Sequence, residues 1–180
     1  MPHRLFAAIR PPLPVIESLL ALEGGVDAAR WQGAGQLHLT LRFFGEVEPR
    51  VAEDLVETLA TIRADGFALA LRGVGHFERK GRPHTLWAGL APSAALLGLQ
   101  RKVETAARRA GLPPAPRSFL PHITLARLNT GSGPLLPFLA AHGAVHSEPW
   151  PVTAFDLVES TLTPLGARYE TVRRYCLGCP

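Results

Sequence analysis

The sequence predicts an α+β domain in which strand pairing is largely antiparallel. Two observations favour this class: short apolar strands outnumber amphipathic helices, and consecutive strands are joined by hairpin-like loops in some places and by helices in others. A third observation, a four-residue pattern written twice, indicates two related lobes. No low-complexity linker separates them, so we expect residues 1–180 to form a single two-lobed domain.

The predicted elements of the first half alternate in type. RLFAAI (4–9) is a strand that prolines end, and the same prolines suit the start of a helix running to about Leu22. LHLTLRFF (37–44) is a strand by its period of two. Pro49 opens a helix in which Val51, Leu55 and Leu59 recur at helical spacing. FALALRGVGHF (67–77) and HTLWAGL (84–90) are predicted to pair around an exposed loop, ERKGRP (78–83).

The second half begins again with a helix, because Leu96, Leu99, Val103, Ala107 and Ala110 form one apolar stripe. PHITLARL (121–128) follows as the strand that matches 37–44. WPVTAFDLVES (150–160) and RYETVRRYCL (168–177) are predicted as the last two strands.

The repeated pattern is histidine, apolar residue, threonine, leucine. It occurs in LHLTLRFFGE (37–46) and in PHITLARLNT (121–130), each time after a segment rich in Gly or Pro and shortly before an arginine. From the composition, the chance of two such quartets among seven histidines is about 0.004. Coincidence is therefore a poor explanation.

Strand geometry places one imidazole and one hydroxyl of each quartet on the same face. Alternation puts His38, Thr40 and Arg42 on one side of the first strand and puts His122 with Thr124 on one side of the second. If a pseudo-twofold axis relates the lobes, these polar faces meet across a cleft.

Two histidines that face one small site can act as general acid and general base, because an unperturbed imidazole titrates near 6.5. Threonine hydroxyls at Thr40 and Thr124 would donate to phosphate oxygens, and Arg127 would neutralise developing charge. Strict alternation, however, points Arg127 away from His122. A bulge or a strand end after Leu125 would be needed to bring it round.

Structural and metal-binding roles are the other interpretations of the quartet histidines. A single quartet would more often be structural, but its duplication favours function. No Asp, Glu or Cys accompanies either histidine at ligand spacing, so no metal and no cofactor are expected. His3, His76, His84, His142 and His146 have no such partners and are expected on the surface or in loops. The lone C-x-x-C of Cys176 and Cys179 is interpreted as incidental thiols.

The paired H-Φ-T-Φ strands about 80 residues apart, with RLFAAI near the start and a closing R-Y-x-x-x-x-R-Y, resemble the 2H phosphoesterase superfamily. Within it the chain is similar to the bacterial and archaeal RNA 2′,3′-cyclic phosphodiesterases, long called 2′-5′ RNA ligases. HLTLRFFGEV, LWAGL and PHITLAR are the most specific pieces. The resemblance implies two mainly antiparallel sheets related by a pseudo-twofold, helices outside, a central cleft, and opening of 2′,3′-cyclic phosphates to 2′-phosphates.

Carried over by position, the resemblance makes His38 and His122 the catalytic acid and base. Thr40, Thr124 and Arg127 become substrate-binding residues that hold the phosphate. Phe77 falls where the family places an aromatic ring that stacks on the base, although spacing alone would equally allow a core residue.

Composition sets further expectations. The chain has one domain's size, and no segment approaches a membrane span, so a cytoplasmic monomer without membrane attachment is predicted. The formal charge of +4 suits an anionic partner, here RNA or nucleotides with 2′,3′-cyclic phosphate ends, and the basic excess lies in residues 91–180. Two alternatives stay open: 2′-5′ ligation by the reverse reaction, and RNA-end binding with little turnover.

Overall fold

The computed structural model describes residues 1–164 and 166–178, so Cys179 lies outside the described residues. The described chain is α+β. In order its elements are β1 (His3–Ile9), α1 (Leu13–Leu20), β2 (Arg30–Trp31), β3 (Leu39–Val47), α2 (Pro49–Ala60), β4 (Phe67–Leu69), β5 (Leu71–Arg79), β6 (Arg82–Leu90), α3 (Ala94–Arg109), β7 (His122–Arg127), α4 (Leu136–His142), β8 (Trp150–Val152), β9 (Ala154–Thr163) and β10 (Gly166–Cys176).

Two four-stranded antiparallel halves form the main sheet. One half has the order β10-β9-β1-β3, and the other contains β7, β6 and β5, with β2 also paired to β7. The halves join where β3 and β7 meet at one pair, Leu39 and Ile123. The α+β class and its antiparallel pairing are thus confirmed, and the two predicted sheets are continuous at this seam.

The lobes do not coincide with the two halves of the sequence. We call β1, β3, β9 and β10 the terminal lobe, and β2, β5, β6 and β7 the central lobe. Each lobe supplies one long strand to the seam, and the two strands run antiparallel, as a pseudo-twofold axis requires. Of the strands predicted near the end of the chain, β9 therefore pairs with β1 and β10 pairs with β9.

Two predicted strands are each divided in the structure. Residues 67–77 break at Ala70 and residues 150–160 break at Thr153, and the leading pieces, β4 and β8, form a separate two-stranded sheet. The carbonyl groups at both breaks have hydrogen-bond partners, because Ala70 accepts from the amide of Ala91 and Thr153 accepts from that of Leu177. The change of sheet buries Trp150 in the hydrophobic core.

The hairpin between β5 and β6 turns more tightly than predicted. Instead of a loop over 78–83, both strands continue to a two-residue turn of Lys80 and Gly81, whose φ values are 52° and 72°. Two positive φ values match the twist of a β-hairpin, and a glycine at the second position adopts one without strain.

Three of the four described helices, α1, α2 and α3, were predicted, and α4 was not. Pro49 occupies the first turn of α2, where its missing N–H is not needed, and the Ser93 hydroxyl caps α3 by accepting from the Leu96 amide at 3.2 Å. α3 packs on α2 and on β3, and α2 contacts β10. None of the described helices is long and apolar enough to cross a membrane.

Candidate active site

A cavity of about 410 Å³ lies at the seam between the lobes. His38 and Thr40 reach it from the terminal lobe, and His122, Thr124 and Arg127 reach it from the central lobe. Five of the six predicted site residues are therefore brought together, although 84 positions separate the two histidines in the chain. The single pair between β3 and β7 holds the two quartets side by side.

The two histidines are held by the same device. Nδ1 of His38 lies 2.6 Å from the carbonyl oxygen of Gln36, and Nδ1 of His122 lies 2.7 Å from that of Leu120. A carbonyl can only accept, so each Nδ1 carries a hydrogen and donates it. In the neutral ring the lone pair is then on Nε2. Both rings therefore present the same nitrogen for proton transfer.

The segment that holds His38 is itself anchored. The Gln36 side chain accepts from the Gly33 amide at 3.1 Å and donates to the carbonyl of Ala167 on β10 at 2.9 Å. The GAGQ segment before the first quartet thus ties His38 to the far strand of the terminal lobe.

Both histidines are shifted toward the neutral form. Burial is the main cause, and it lowers the pKa of His38 to about 4, with Arg10, Arg127 and His122 adding repulsion. Burial also lowers the pKa of His122, and Arg127 contributes in the same direction. The site before substrate binding therefore holds two neutral imidazoles at pH 7.

Aromatic rings fix the plane of His38. Phe6 stacks on its imidazole with centroids 4.8 Å apart, and Tyr169 meets it edge-on at 5.2 Å. These rings come from β1 and β10, so two strands of the terminal lobe shape the surroundings of His38, which directly precedes β3.

His122 has corresponding neighbours in the central lobe. Phe77 meets its ring at 4.8 Å with the planes at 88°, and Trp87 lies beyond at 6.3 Å. Trp87 covers the backbone of Gly75, where an added Cβ would fall 2.4 Å from the indole. Phe77, the sixth predicted residue, is half-buried against His122 and does not line the 410 Å³ cavity.

A bulge in β7 turns Arg127 toward the cavity. Leu86 pairs with Ala126 and Trp87 pairs with Thr124, so Leu125 is an extra residue on the β7 side. Leu125 and Ala126 are consecutively buried, and Arg127 emerges on the face of Thr124. The tension between strict alternation and a phosphate role for Arg127 is thereby removed.

A bulge at the equivalent position of β3 turns Arg42 away from the cavity. Ala7 pairs with Arg42 and Ala8 with Thr40, so Leu41 is the extra residue. The prediction that Arg42 shares the His38 face is therefore wrong: Arg42 is only 6% exposed and is paired with Glu104. Phe43 takes the outward position that Arg127 holds in β7.

Arg127 is positioned from β6. Its Nη1 donates to the buried hydroxyl of Thr85 at 3.0 Å, and Nδ1 of His84 lies 2.8 Å from the same oxygen. His84 is therefore a strand residue with a polar partner. His3 and His76 also lie in strands, where they face Glu159 and Glu78 at the surface, so what the sequence did not predict is their polar partners.

Cationic side chains line the cavity and acidic ones do not. Arg4, Arg30 and Arg127 belong to its lining, whereas no described Asp or Glu does. None of these arginines forms an ion pair with a described carboxylate. Two of the three come from residues 1–90, so the basic excess of the second half is not what charges the site. Arg4 belongs to the RLFAAI strand and Tyr169 to the R-Y-x-x-x-x-R-Y segment, so those two motifs could have identified them.

Within residues 1–164 and 166–178, no three His, Cys, Asp or Glu side chains cluster closely enough to hold a metal ion. A larger open groove, about 720 Å³, runs beside the β5–β6 hairpin and the segment before α4. It contains neither quartet, so the smaller cavity is the candidate site.

Comparisons with a family model and with known proteins agree on one family. The model of the 2′-5′ RNA ligase superfamily matches residues 15–163. The chain is 37% identical over 138 residues to a protein of Aeropyrum pernix named RNA 2′,3′-cyclic phosphodiesterase, covering 75% of this chain and 78% of that one. It is 31% identical to the Escherichia coli protein of the same name, covering 98% and 97%.

Solved structures agree over nearly the whole chain. The crystal structure of Escherichia coli LigT in the apo form superposes with a TM-score of 0.78 at 30% identity, covering 99% of each chain. LigT complexed with 3′-AMP gives a TM-score of 0.79 at 30% identity, covering 98% and 99%.

Proposed function

The chain belongs to the 2′-5′ RNA ligase superfamily, and we propose that it opens 2′,3′-cyclic phosphates at RNA ends to 2′-phosphates. The names of its relatives support the reaction. The observation that carries the mechanism is the pair of histidines that both donate through Nδ1, which leaves two Nε2 atoms for one cavity.

In this mechanism one histidine is neutral and the other carries a proton on Nε2. The neutral Nε2 takes a proton from water, and the water oxygen attacks phosphorus. The bond between phosphorus and O3′ breaks, and the second Nε2 gives its proton to O3′. The product is a 2′-phosphate with a free 3′-hydroxyl. The anionic phosphate favours the required protonated state, because negative charge raises a nearby imidazole pKa.

The remaining predicted residues hold the phosphate or its nucleoside. Thr40 and Thr124 donate hydroxyl hydrogens to the non-bridging oxygens, and Arg127 offsets the charge that builds up on them. Phe77 supports His122 by its edge-on contact. Its stacking on the base stays a prediction, because the ring lies outside the cavity lining.

Ligation of 2′-5′ ends is the second candidate, and the description of the matching family favours it. In ligation a 5′-hydroxyl takes the place of water: the neutral Nε2 takes its proton, its oxygen bonds to phosphorus, the bond between phosphorus and O3′ breaks, and the second Nε2 gives its proton to O3′. Binding without turnover is disfavoured by two intact histidines in equivalent geometry.

The test is incubation of an RNA oligonucleotide bearing a 2′,3′-cyclic phosphate in EDTA without ATP, with the product phosphate located by NMR. We expect a 2′-phosphate from the wild type and a normal yield from His146→Ala, since His146 lies outside the cavity. A 3′-phosphate, or activity that returns only when a divalent metal is added, would overturn this mechanism.

A further inference from the structure

The two lobes place equivalent histidines and threonines in the cavity, but the residues that follow them along β3 and β7 differ. Both quartets end in a bulged leucine, and the next residue that reaches the cavity is Arg127 in β7 but Phe43 in β3. A guanidinium therefore stands on one side of the seam, and an aromatic ring stands at the related place on the other. The two sides cannot bind the same part of a substrate.

Phe43 is an exposed aromatic residue at the cavity. The residue is 47% exposed even though it lines the cavity, whereas the other β3 aromatic, Phe44, packs against the hydrophobic core. The Arg4 guanidinium lies 5.1 Å from the Phe43 ring centroid, within the range of a cation–π contact. Arg4 also lines the cavity and has no carboxylate partner among the described residues.

The position of Phe43 separates it from the reacting phosphate. It lies two ladder positions beyond Thr40, because Ala8 of β1 pairs with Thr40 and Phe6 pairs with Phe43, which corresponds to about 7 Å along a strand. Phe6 and Tyr169 pack on the His38 ring, whereas Phe43 lines the cavity away from both catalytic histidines. The Phe43 ring is at the distance of a neighbouring nucleotide rather than of the reacting phosphate.

An aromatic face beside an unpaired guanidinium suits single-stranded nucleic acid, because the base stacks on the ring and the backbone phosphate is neutralised. We propose that Phe43 and Arg4 form a subsite for the penultimate nucleotide, the one that precedes the nucleotide carrying the cyclic phosphate. The base stacks on Phe43, and the phosphodiester that joins the two nucleotides contacts Arg4. This inference rests on the proposed function and adds that the substrate is a strand rather than a single nucleotide.

The test compares a 2′,3′-cyclic mononucleotide with a trinucleotide that ends in the same cyclic phosphate. Stacking on an aromatic side chain contributes about 1–3 kcal/mol per base, so Phe43→Ala should lower the ratio of kcat/KM for trinucleotide over mononucleotide by about 5- to 150-fold. Phe43→Trp should keep the ratio. Phe43→Leu, which preserves apolar bulk without the ring, should lose most of it.

Arg4→Gln should lower the same ratio and flatten the salt dependence of trinucleotide turnover, because one phosphate contact is lost. Leu97→Ala, at an exposed apolar position on α3, is the matched control and should leave the ratio unchanged.

An unchanged ratio of kcat/KM for trinucleotide over mononucleotide in Phe43→Ala would overturn the subsite. If the alanine variant does not fold, an unchanged ratio in Phe43→Leu would do the same. Equal losses of kcat/KM on the mononucleotide and the trinucleotide in Phe43→Leu and Arg4→Gln would also overturn the subsite. Both side chains would then act on the reacting nucleotide. Failure of the wild type to open either substrate would instead overturn the proposed function, and the subsite with it.

Discussion

At the scale of single residues, His38 and His122 are defined by what holds them. Each donates through Nδ1 to the carbonyl two positions upstream, so the tautomer follows from the backbone of the quartet itself. Sequence patterning predicted the two histidines because their repetition is visible in the letters. It could not predict the ring-fixing neighbours Phe6 and Tyr169, since those contacts depend on how distant strands pair.

Removing either histidine should abolish most of the activity. General acid or base catalysis contributes about 10²- to 10⁴-fold, so we expect losses of that order in kcat/KM for His38→Ala and His122→Ala. Because the two act in one step, the double variant should be little worse than either single variant. Multiplicative losses in the double variant would indicate independent roles.

The pH profile should lie on the acid side of neutrality. The active free enzyme carries one proton on the pair, and kcat/KM reports the free enzyme. An unperturbed imidazole would place both limbs near neutrality, but burial lowers the pKa of His38 to about 4 and also lowers that of His122. We therefore expect both limbs of the bell below 6.5.

Arg127→Gln should move this profile in a defined direction. Losing a cation removes repulsion against both imidazolium forms, so both pKa values rise and both limbs move to higher pH. Arg127→Lys keeps the charge and should leave the limbs in place. Limbs that stay fixed in Arg127→Gln would contradict the electrostatic coupling.

The guanidinium shape of Arg127 can be tested separately through the rate. If it contacts phosphate oxygens in two places, Arg127→Lys should lower kcat/KM by about 10²- to 10³-fold, the usual cost of one oxyanion donor. Arg108→Lys on the exposed last turn of α3 should have almost no effect. Near-wild-type activity in Arg127→Lys would remove Arg127 from phosphate binding. Arg42 could not replace it, because it is buried with Glu104.

At the scale of elements, the two bulges decide which side chains reach the cavity. Alternation correctly placed each histidine with its threonine, and it failed at the next residues because Leu41 and Leu125 are each inserted into a ladder. The sequence of one strand does not determine its register with a partner strand, so it does not show where a bulge lies. A bulge was predicted only at β7, because Arg127 otherwise pointed away from its expected role. At Arg42 no conflict was visible, and the prediction was wrong.

The close packing of β5 on β6 leads us to expect that a side chain at position 75 lowers the stability of the protein. An added Cβ would lie 2.4 Å from the Trp87 indole, so Gly75→Ala should destabilise the protein by about 1–3 kcal/mol through overpacking. Gly98→Ala is the matched control, because nothing lies within 4 Å of its Cβ position in α3 and alanine favours a helix by about 0.5–1 kcal/mol. Thermal denaturation should show opposite shifts in Tm. A Gly75→Ala variant as stable as the wild type would contradict the packing.

Short elements were the ones that the sequence did not predict. β2 has two residues, and α4 has seven, too few to establish a period. Both depend on packing for their conformation: β2 pairs with β7 at Arg127, and α4 buries Phe138 in the core. The longer helices and strands were predicted because each repeats its pattern over several turns or pleats.

At the scale of the whole molecule, one chain supplies every residue of the candidate site. A cavity completed within one copy has no need of a second, so we expect a monomer with a mass of 19.4 kDa. Light scattering after size-exclusion chromatography measures this directly. A particle of twice that mass at assay concentrations would contradict the prediction.

The division of the chain between lobes could not be predicted from the repeated quartets. They suggested two consecutive half-units, whereas the terminal lobe combines β1 and β3 with β9 and β10. Repeats report local similarity, and the pairing of β1 with β9 depends on contacts such as Leu5 with Glu159, across most of the chain.

That pairing sets an order of events during synthesis. The strands of the central lobe all lie between residues 30 and 127, so they can pair before the last strands leave the ribosome. β1 must wait with one edge unpaired until residues 154–163 emerge, and long-range strand pairing is slow. Tyr169, which closes the surroundings of His38, arrives later still. A nascent chain can therefore complete the aromatic surroundings of His122 before those of His38, because Phe6 and Tyr169 come from the two ends of the polypeptide.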